Sequence, residues 1–356
     1  MSRALSPRRA SREIVRRLAL CAALPLAACS DRNSPVGPLA SGTASPIVTI
    51  SSPKSDRLAT IEREGTRDVL YVQNADGTNR TRVSFRNVQD HVVGNQSLPV
   101  TDETILAMRR AKWSPDGQSL AVIVVPAAGT AQVVLVSADG RTLRTVSPNS
   151  QYLYGDVEWS TDSHRIAYAM STGPFALSPD LFVTDLGPDH VTRVTTSGKV
   201  GPFDTFRFDP TGQRINYTER LGFADDGTNG LFRLASADLS TGTIAVRKDT
   251  LLGEPQGIAR DGSWLLLLRW NAEQTRELVR VAVPPQRDIV LTTGDMVNAV
   301  LLDGDAEALV ISPDLNDRTG INRTFRIFGT GTPNDEPPLL PTRRNVTWAA
   351  FARSSK

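Results

Sequence analysis

The chain has 356 residues, 40 Lys+Arg against 38 Asp+Glu, and a hydrophobic share of 40%. Six arginines and one glutamate (Glu13) lie in the first 28 residues, so the remainder holds 34 basic and 37 acidic side chains, a net −3. A mildly acidic body excludes the basic footprint of nucleic-acid binding, and two cysteines, one of them in that first segment, exclude a disulfide framework.

Residues 1–28 read as an export signal. Arg3, Arg8, Arg9, Arg12, Arg16 and Arg17 make a basic head, and Leu18 to Ala28 is apolar. That stretch is far shorter than the ~20 residues a membrane-spanning helix needs. Small residues precede Cys29, as at a cleavage site. The segment Leu26-Ala27-Ala28-Cys29 resembles the bacterial lipoprotein box. The resemblance implies removal of the signal and lipidation of Cys29. Ser30 in the next position resembles outer-membrane sorting, where an Asp would favour inner-membrane retention. The expected location is the cell envelope, at the outer membrane facing the periplasm. Residues 29–46 are expected to be the lipidated Cys and a tether, because they are rich in Ser, Gly and Pro and carry no apolar period. Such a chain spans roughly 20–25 Å. Membrane contact is expected through the N-terminal lipid only.

From 47 to 356 one pattern recurs: an apolar residue, a tight polar turn, then an alternating apolar run. It appears as Ser51-Ser52-Pro53-Lys54-Ser55 before Arg57-Leu58-Ala59-Thr60-Ile61. Its clearest copy is Trp113-Ser114-Pro115-Asp116-Gly117 before Leu120-Ala121-Val122-Ile123. Further copies are Trp159-Ser160-Thr161-Asp162-Ser163 and Phe208-Asp209-Pro210-Thr211-Gly212. Two worn copies start at Ile258 and Leu301, and a stub starts at Trp348. Pro115, Thr161, Pro210 and Arg260 follow one another at 46, 49 and 50 residues. A strand-rich repeat of that length means a radial array of small sheets. Each repeat reads as four strands. In the second these are Ala107 to Trp113, Leu120 to Val125, Gln132 to Ser137 and Leu143 to Val146, with Ala138-Asp139-Gly140-Arg141 as a hairpin turn. The fold expected is all-β: a β-propeller of six four-stranded blades, with seven possible, closed by the C-terminal strand at 345–352.

These repeats resemble the WD-like repeats of the TolB-type β-propeller family. The pattern there is an apolar or aromatic residue, Ser-Pro-Asp-Gly, two apolar strands, Ala-Asp-Gly and Arg-x-Leu-Thr. Leu70-Tyr71-Val72 followed by Asn74-Ala75-Asp76-Gly77 and Arg80-Thr81-Arg82-Val83-Ser84 fits it closely. The likeness is strong in repeats one to four and weak in five and six. That family places a small α/β domain before its propeller and is soluble, whereas a tether and a lipidated Cys are expected here. The likeness is therefore one of fold.

In a four-stranded meander, turns one-to-two and three-to-four share a face. The two-to-three turns and the blade links share the other. The short Ser-Pro-Asp-Gly and Ala-Asp-Gly turns fall on the first. The long segments 86–104, 171–179, 220–230 and 312–322 fall on the second, a common arrangement for binding. Candidate partner-binding residues there are Asp90, His91 and Asp102; Phe175; Phe223, Asp225 and Asp226; and Asn316, Asp317 and Arg318. The expected partner is a protein, a peptide or an envelope component. Asp225 to Gly230 and Asp314 to Gly320 offer clustered oxygens but lack EF-hand spacing and its terminal Glu. They read as solvated turns, and no metal or cofactor is expected.

Catalytic motifs are missing. His91, His164 and His190 are too few for a zinc site, and no HExxH, Gly-x-Ser-x-Gly elbow, P-loop or dinucleotide fingerprint appears. The reading is a non-catalytic binding module. The alternative is a hydrolase or lyase with a carboxylate- or metal-based site in the central channel. Three or more Asp, Glu, His or Arg converging on the axis with perturbed titration would favour the alternative. Ring closure carries its own prediction: removal of residues 347–356 lowers the melting temperature of the whole body, and an unchanged melt would refute closure by that strand.

Overall fold

The computed structural model describes residues 46–343 except 52–56, 75, 86–88, 91–104, 127–130, 149–152, 172–178, 189, 202–205, 226, 284–287, 295, 297, 302–306, 314–322 and 330–338, with side chains between positions 57 and 299. The closing strand expected at 345–352 lies outside the described residues, as do Cys29 and the tether up to 45.

Strands follow one another in six antiparallel meanders. Blade one holds β1 (Pro46–Ser51), β2 (Arg57–Glu64), β3 (Arg67–Asn74) and β4 (Thr81–Arg82). After β5 (Gln89–Asp90), blade two holds β6 (Ile105–Trp113), β7 (Ser119–Pro126), β8 (Gln132–Ser137) and β9 (Leu143–Thr145). Blade three is β10 (Leu153–Trp159), β11 (Arg165–Ser171), β12 (Pro179–Asp185) and β13 (His190–Arg193). Blade four is β14 (Phe206–Phe208), β15 (Arg214–Phe223), β16 (Gly230–Asp238) and β17 (Ile244–Leu252). Blade five is β18 (Glu254–Ile258), β19 (Trp264–Trp270), β20 (Arg276–Ala282) and β21 (Ile289–Thr293). Blade six is β22 (Asn298–Leu301), β23 (Glu307–Pro313), β24 (Arg323–Gly329) and β25 (Leu339–Arg343). In both the first and the last sheet, all four described strands come from one run of chain. The link after blade one is partly a strand, since β5 pairs parallel with β9 at the outer edge of blade two.

The middle strands are apolar at nearly every position, and the alternation inside those runs sorts them into two cores. In β7, Leu120, Val122 and Val124 pack with Leu70 and Val72 of blade one. Ala121 and Ile123 point the other way and pack with Ile166 and Tyr168 of blade three. Ala167 and Ala169 of β11 then meet Ile215 and Tyr217 of blade four. Leu265 and Leu267 of β19 meet Leu234 of blade four, while Leu266 and Leu268 face Met296 and Ala299 toward blade six. A strand buried on both faces reads as a continuous apolar run because neither face meets water. Each buried Leu, Ile or Val among them contributes roughly 1.5–3 kcal/mol.

The repeat turn explains its own sequence. Ser114 Oγ accepts from Ser119 N–H at 3.0 Å and donates to Asp116 Oδ1 at 2.5 Å, and Asp116 Oδ1 accepts from Gln118 N–H at 3.0 Å. Gly117 has φ +72°, which glycine adopts without strain. Ser163 takes the same place in blade three at φ +63°. These turns also join blades: Ser163 Oγ accepts from Asp116 N–H, Thr161 Oγ1 donates to Pro210 O, and Arg165 donates to Gly212 O.

The outer turns use the same device. Asp238 accepts first from the Ser240 hydroxyl and then from Thr241 N–H, which pulls its carboxyl from 3.8 to about 2. Asp139 is lowered by Ser137 and Arg141 N–H, and Asp76 by the hydroxyl and N–H of Thr78. A depressed folded-state pKa gives stability that is complete above the unfolded value and lost as pH falls through the folded one. The melting temperature is therefore expected to drop between about pH 4 and pH 2, with Asp238→Asn removing part of that slope. A pH series of thermal melts in which Asp238→Asn retains the full slope would refute the assignment.

Candidate functional site

Two features stand out, one at the axis and one on the rim of the long-loop face.

The axial feature is built from one repeat position. Lys112, Glu158 and Arg207 each precede the aromatic residue that ends the innermost strand of blades two, three and four. Trp113, Trp159 and Phe208 turn into the interblade cores. Strand alternation sends the preceding charged residues the opposite way. Glu158 is 4% exposed, and its Oε2 lies 2.5 Å from Lys112 Nζ. Its Oε1 lies 3.7 Å from Arg207 Nε and 3.9 Å from Arg260 Nη1, the latter in the β18–β19 turn. One carboxylate that reaches blades two, four and five from blade three can do so only at the axis. The cluster lies at the short-turn end of the channel. Arg207 also donates to Ile258 O at 3.2 Å, and Asn216 Nδ2 to Arg260 O at 3.2 Å. Three cations around one acid make an ion-pair hub. Among the described residues no three His, Cys, Asp or Glu side chains gather as metal ligands would.

The rim feature belongs to blade four. The segment 220–230, expected as a loop, is mostly hairpin: β15 runs on to Phe223, which pairs with Gly230. A register shift between Arg220 and Gly222 marks a bulge at Leu221. The turn is closed by Ala224 N–H to Asn229 O at 2.9 Å and Gly227 N–H to Ala224 O at 2.8 Å. Asn229 then fastens the hairpin to blade five, accepting from Trp270 N–H at 2.9 Å and donating to Trp270 O at 3.2 Å. Gly253 is the whole link between the two blades. A Cβ there would lie 2.7 Å from Arg269 Cβ, so only glycine permits the approach. The result is an exposed apolar edge: Phe223 at 57%, Leu252 at 43%, Leu221 at 40% and Trp270 at 37%. Arg220 lies over the Phe223 ring at 4.6 Å and Arg276 over the Trp270 ring at 4.9 Å.

Of the residues picked out from sequence, the structure places Phe223 and Asp225 at this hairpin end, both exposed. Asp90 is in β5, with its backbone alone described. His91, Asp102, Phe175, Asp226, Asn316, Asp317, Arg318 and Cys29 lie outside the described residues. His164 and His190 are exposed. Sequence reading passes over Leu221, Leu252 and Trp270, and over the whole axial hub. The hub had a signal: charged residues at the same place in three consecutive repeats.

The six meanders and their shared interblade cores define a β-propeller. No family model matches the chain, and no curated protein matches it. Solved structures do. TolB from Acinetobacter baumannii is 16% identical with a TM-score of 0.51, over 82% of this chain and 66% of that one. The β-propeller domain of the Trilobed protease from Pyrococcus furiosus is 10% identical with a TM-score of 0.56, over 84% of each chain. An oligogalacturonate lyase in complex with manganese is 13% identical with a TM-score of 0.53, over 83% of this chain and 77% of that one. At these identities the likeness is one of fold.

Glu158 is the hub of the axial cluster, so its removal leaves cations facing one another. Glu158→Ala is expected to destabilise the body by roughly 3–5 kcal/mol. Lys112→Met should cost less, since Arg207 and Arg260 still face the carboxylate. Urea denaturation of both variants checks this. A Glu158→Ala cost no larger than that of Lys112→Met would refute the hub.

Proposed function

We propose that this chain is an exported, lipid-anchored propeller that acts as a non-catalytic binding module in the cell envelope. Residues 1–28 are the signal, 29–46 the lipidated Cys29 and its tether, and 47–356 the propeller. The long-loop face takes a protein, a peptide or another envelope component. The observation that carries this reading is the contrast between the two faces. The short-turn face is occupied by structural bonds between blades. The other face presents Leu221 and Phe223 to solvent on the β15–β16 hairpin, and Leu252 and Trp270 at the adjoining ends of β17 and β19. Exposed aromatic side chains on a rigid element are the usual anchors of recognition. The TolB-like fold supports an envelope role by analogy only.

A second reading has one observation in its favour. Glu158, Arg207 and Arg260 converge on the axis, as a channel active site would require. A propeller lyase shares the fold. The composition argues against it: among the described residues the axial cluster holds one carboxylate, already ion-paired, and so no acid–base pair.

The test is photo-crosslinking of the full chain in envelope extract, with the probe at Asp225 on the hairpin or at Asp139 on the short-turn face. Adducts from position 225 and none from 139 are expected. Adducts from neither, or from 139 alone, would overturn the binding face. Turnover of an envelope polysaccharide or peptide that is abolished by Glu158→Gln would favour the channel.

A further inference from the structure

We propose that the rim formed by blades four and five docks on the surface of the membrane that holds the N-terminal lipid, with Phe223 and Trp270 seated among the headgroups. The proposal rests on the anchored reading above and names the envelope component that the hairpin meets.

Topology carries the first step. Pro46 pairs with Glu62, two residues from the end of β2 and next to the Gly65–Thr66 turn into β3. That end of the blade carries the two-to-three turns, as do the hairpin turn after Phe223 and the end of β19 at Trp270. The chain therefore enters the propeller on the same face that presents the aromatic rim. If residues 30–45 are the flexible tether that their composition suggests, they span roughly 20–25 Å and bring this face, rather than the short-turn face, toward the bilayer. A weak surface contact then acts at high effective concentration.

Side-chain chemistry carries the second step. Phe and Trp at an exposed edge, each capped by an Arg, match what interfaces select: an apolar ring body with a cationic head that reaches phosphate. Arg220 lies exposed over the Phe223 ring and is the cation offered to phosphate, while Arg276 lies over the Trp270 ring with its Nη1 donating to Met296 O at 3.0 Å. Lys199 adds an exposed cation beside Arg220, whose N–H donates to Lys199 O at 2.7 Å. Asp225, Glu254 and Glu273 are exposed on the same rim. These acids keep the contact shallow, at the headgroup level, and keep it weak without the lipid. The rim sets orientation while the acyl chains supply the affinity. Membrane contact is then made by more than the lipid alone, and the short-turn face is left pointing away from the bilayer.

The experiment uses the full chain purified from membranes and reconstituted in vesicles of phosphatidylethanolamine with a minority of phosphatidylglycerol, with or without bromine on the acyl chains. Mass analysis of the N-terminal peptide and flotation with the vesicles report the anchor. Tryptophan fluorescence reports the rim. Trp113, Trp159 and Trp264 are buried, and Trp348→Phe is the background of every chain compared, so lipid-dependent quenching reports Trp270. The expected result is quenching of the Trp348→Phe chain by brominated lipid that is mostly lost in Trp270→Phe and reduced in Phe223→Ser, while all three float equally. Flotation without quenching, or quenching that Trp270→Phe leaves intact, overturns the docking while leaving the anchor standing. Quenching that disappears when envelope proteins are added also overturns it, because a protein then occupies the rim. An unacylated Cys29 in a chain that does not float overturns the anchor and the docking together.

Discussion

The structure depends on strands being buried on both faces. Leu120 and Ala121 are neighbours in β7, yet one belongs to the core shared with blade one and the other to the core shared with blade three. Among the described residues no blade owns a core. A single four-stranded sheet of this length could not bury enough apolar surface to offset the entropy of ordering it. Stability is therefore a property of the array, and each blade's sequence is constrained by two neighbours. Hydrogen bonds follow the same plan: Trp159 Nε1 donates to Lys112 O, and Thr184 Oγ1 donates to Val146 O, each across a blade boundary.

That constraint divides the labour between the faces. The short turns are pinned by their own Ser and Asp side chains and bonded to the next blade, and Arg57 adds a two-pronged bond to Ala138 O from blade one to blade two. The axial hub closes the same end with charge. Little freedom remains there for a ligand to exploit. The opposite face holds the strand-two-to-three turns, whose length can change without disturbing either core. Blade four used that freedom to extend β15, β16 and β17 together to ten, nine and nine residues.

Much of this was legible in the sequence, and the exceptions have physical causes. The repeat turns announce themselves because Ser, Pro, Asp and Gly each meet a distinct backbone demand, so the strands beside them fall where the pattern puts them. The segment 220–230 read as a loop because a bulge at Leu221 breaks the two-residue period that marks a strand. Phe223 could be found as an apolar residue among turn formers. Trp270 could not, since it follows the apolar run of β19 with only Arg269 between, and its exposure depends on where the neighbouring hairpin stops. The axial hub was hidden for a different reason. A charged residue in a strand normally means a solvent face, and only the radial arrangement turns Glu158 inward to meet three other blades.

An exposed apolar edge on a strand-rich body also needs protection from self-association. β17 is the outer edge of blade four, and Ile244 and Val246 on it are exposed. Its sequence interposes Arg247, Lys248 and Asp249, charges that discourage a second strand from pairing there. Blade two meets the same problem by covering β9 with β5. The hairpin rim has neither device at Phe223 and Trp270; it has an Arg over each ring instead. An Arg on an aromatic face shields it from water without preventing contact at its edge. Edge charges make β17 unattractive to strands, whereas the rim stays available to a partner that offers apolar and anionic groups together. A lipid headgroup layer offers both.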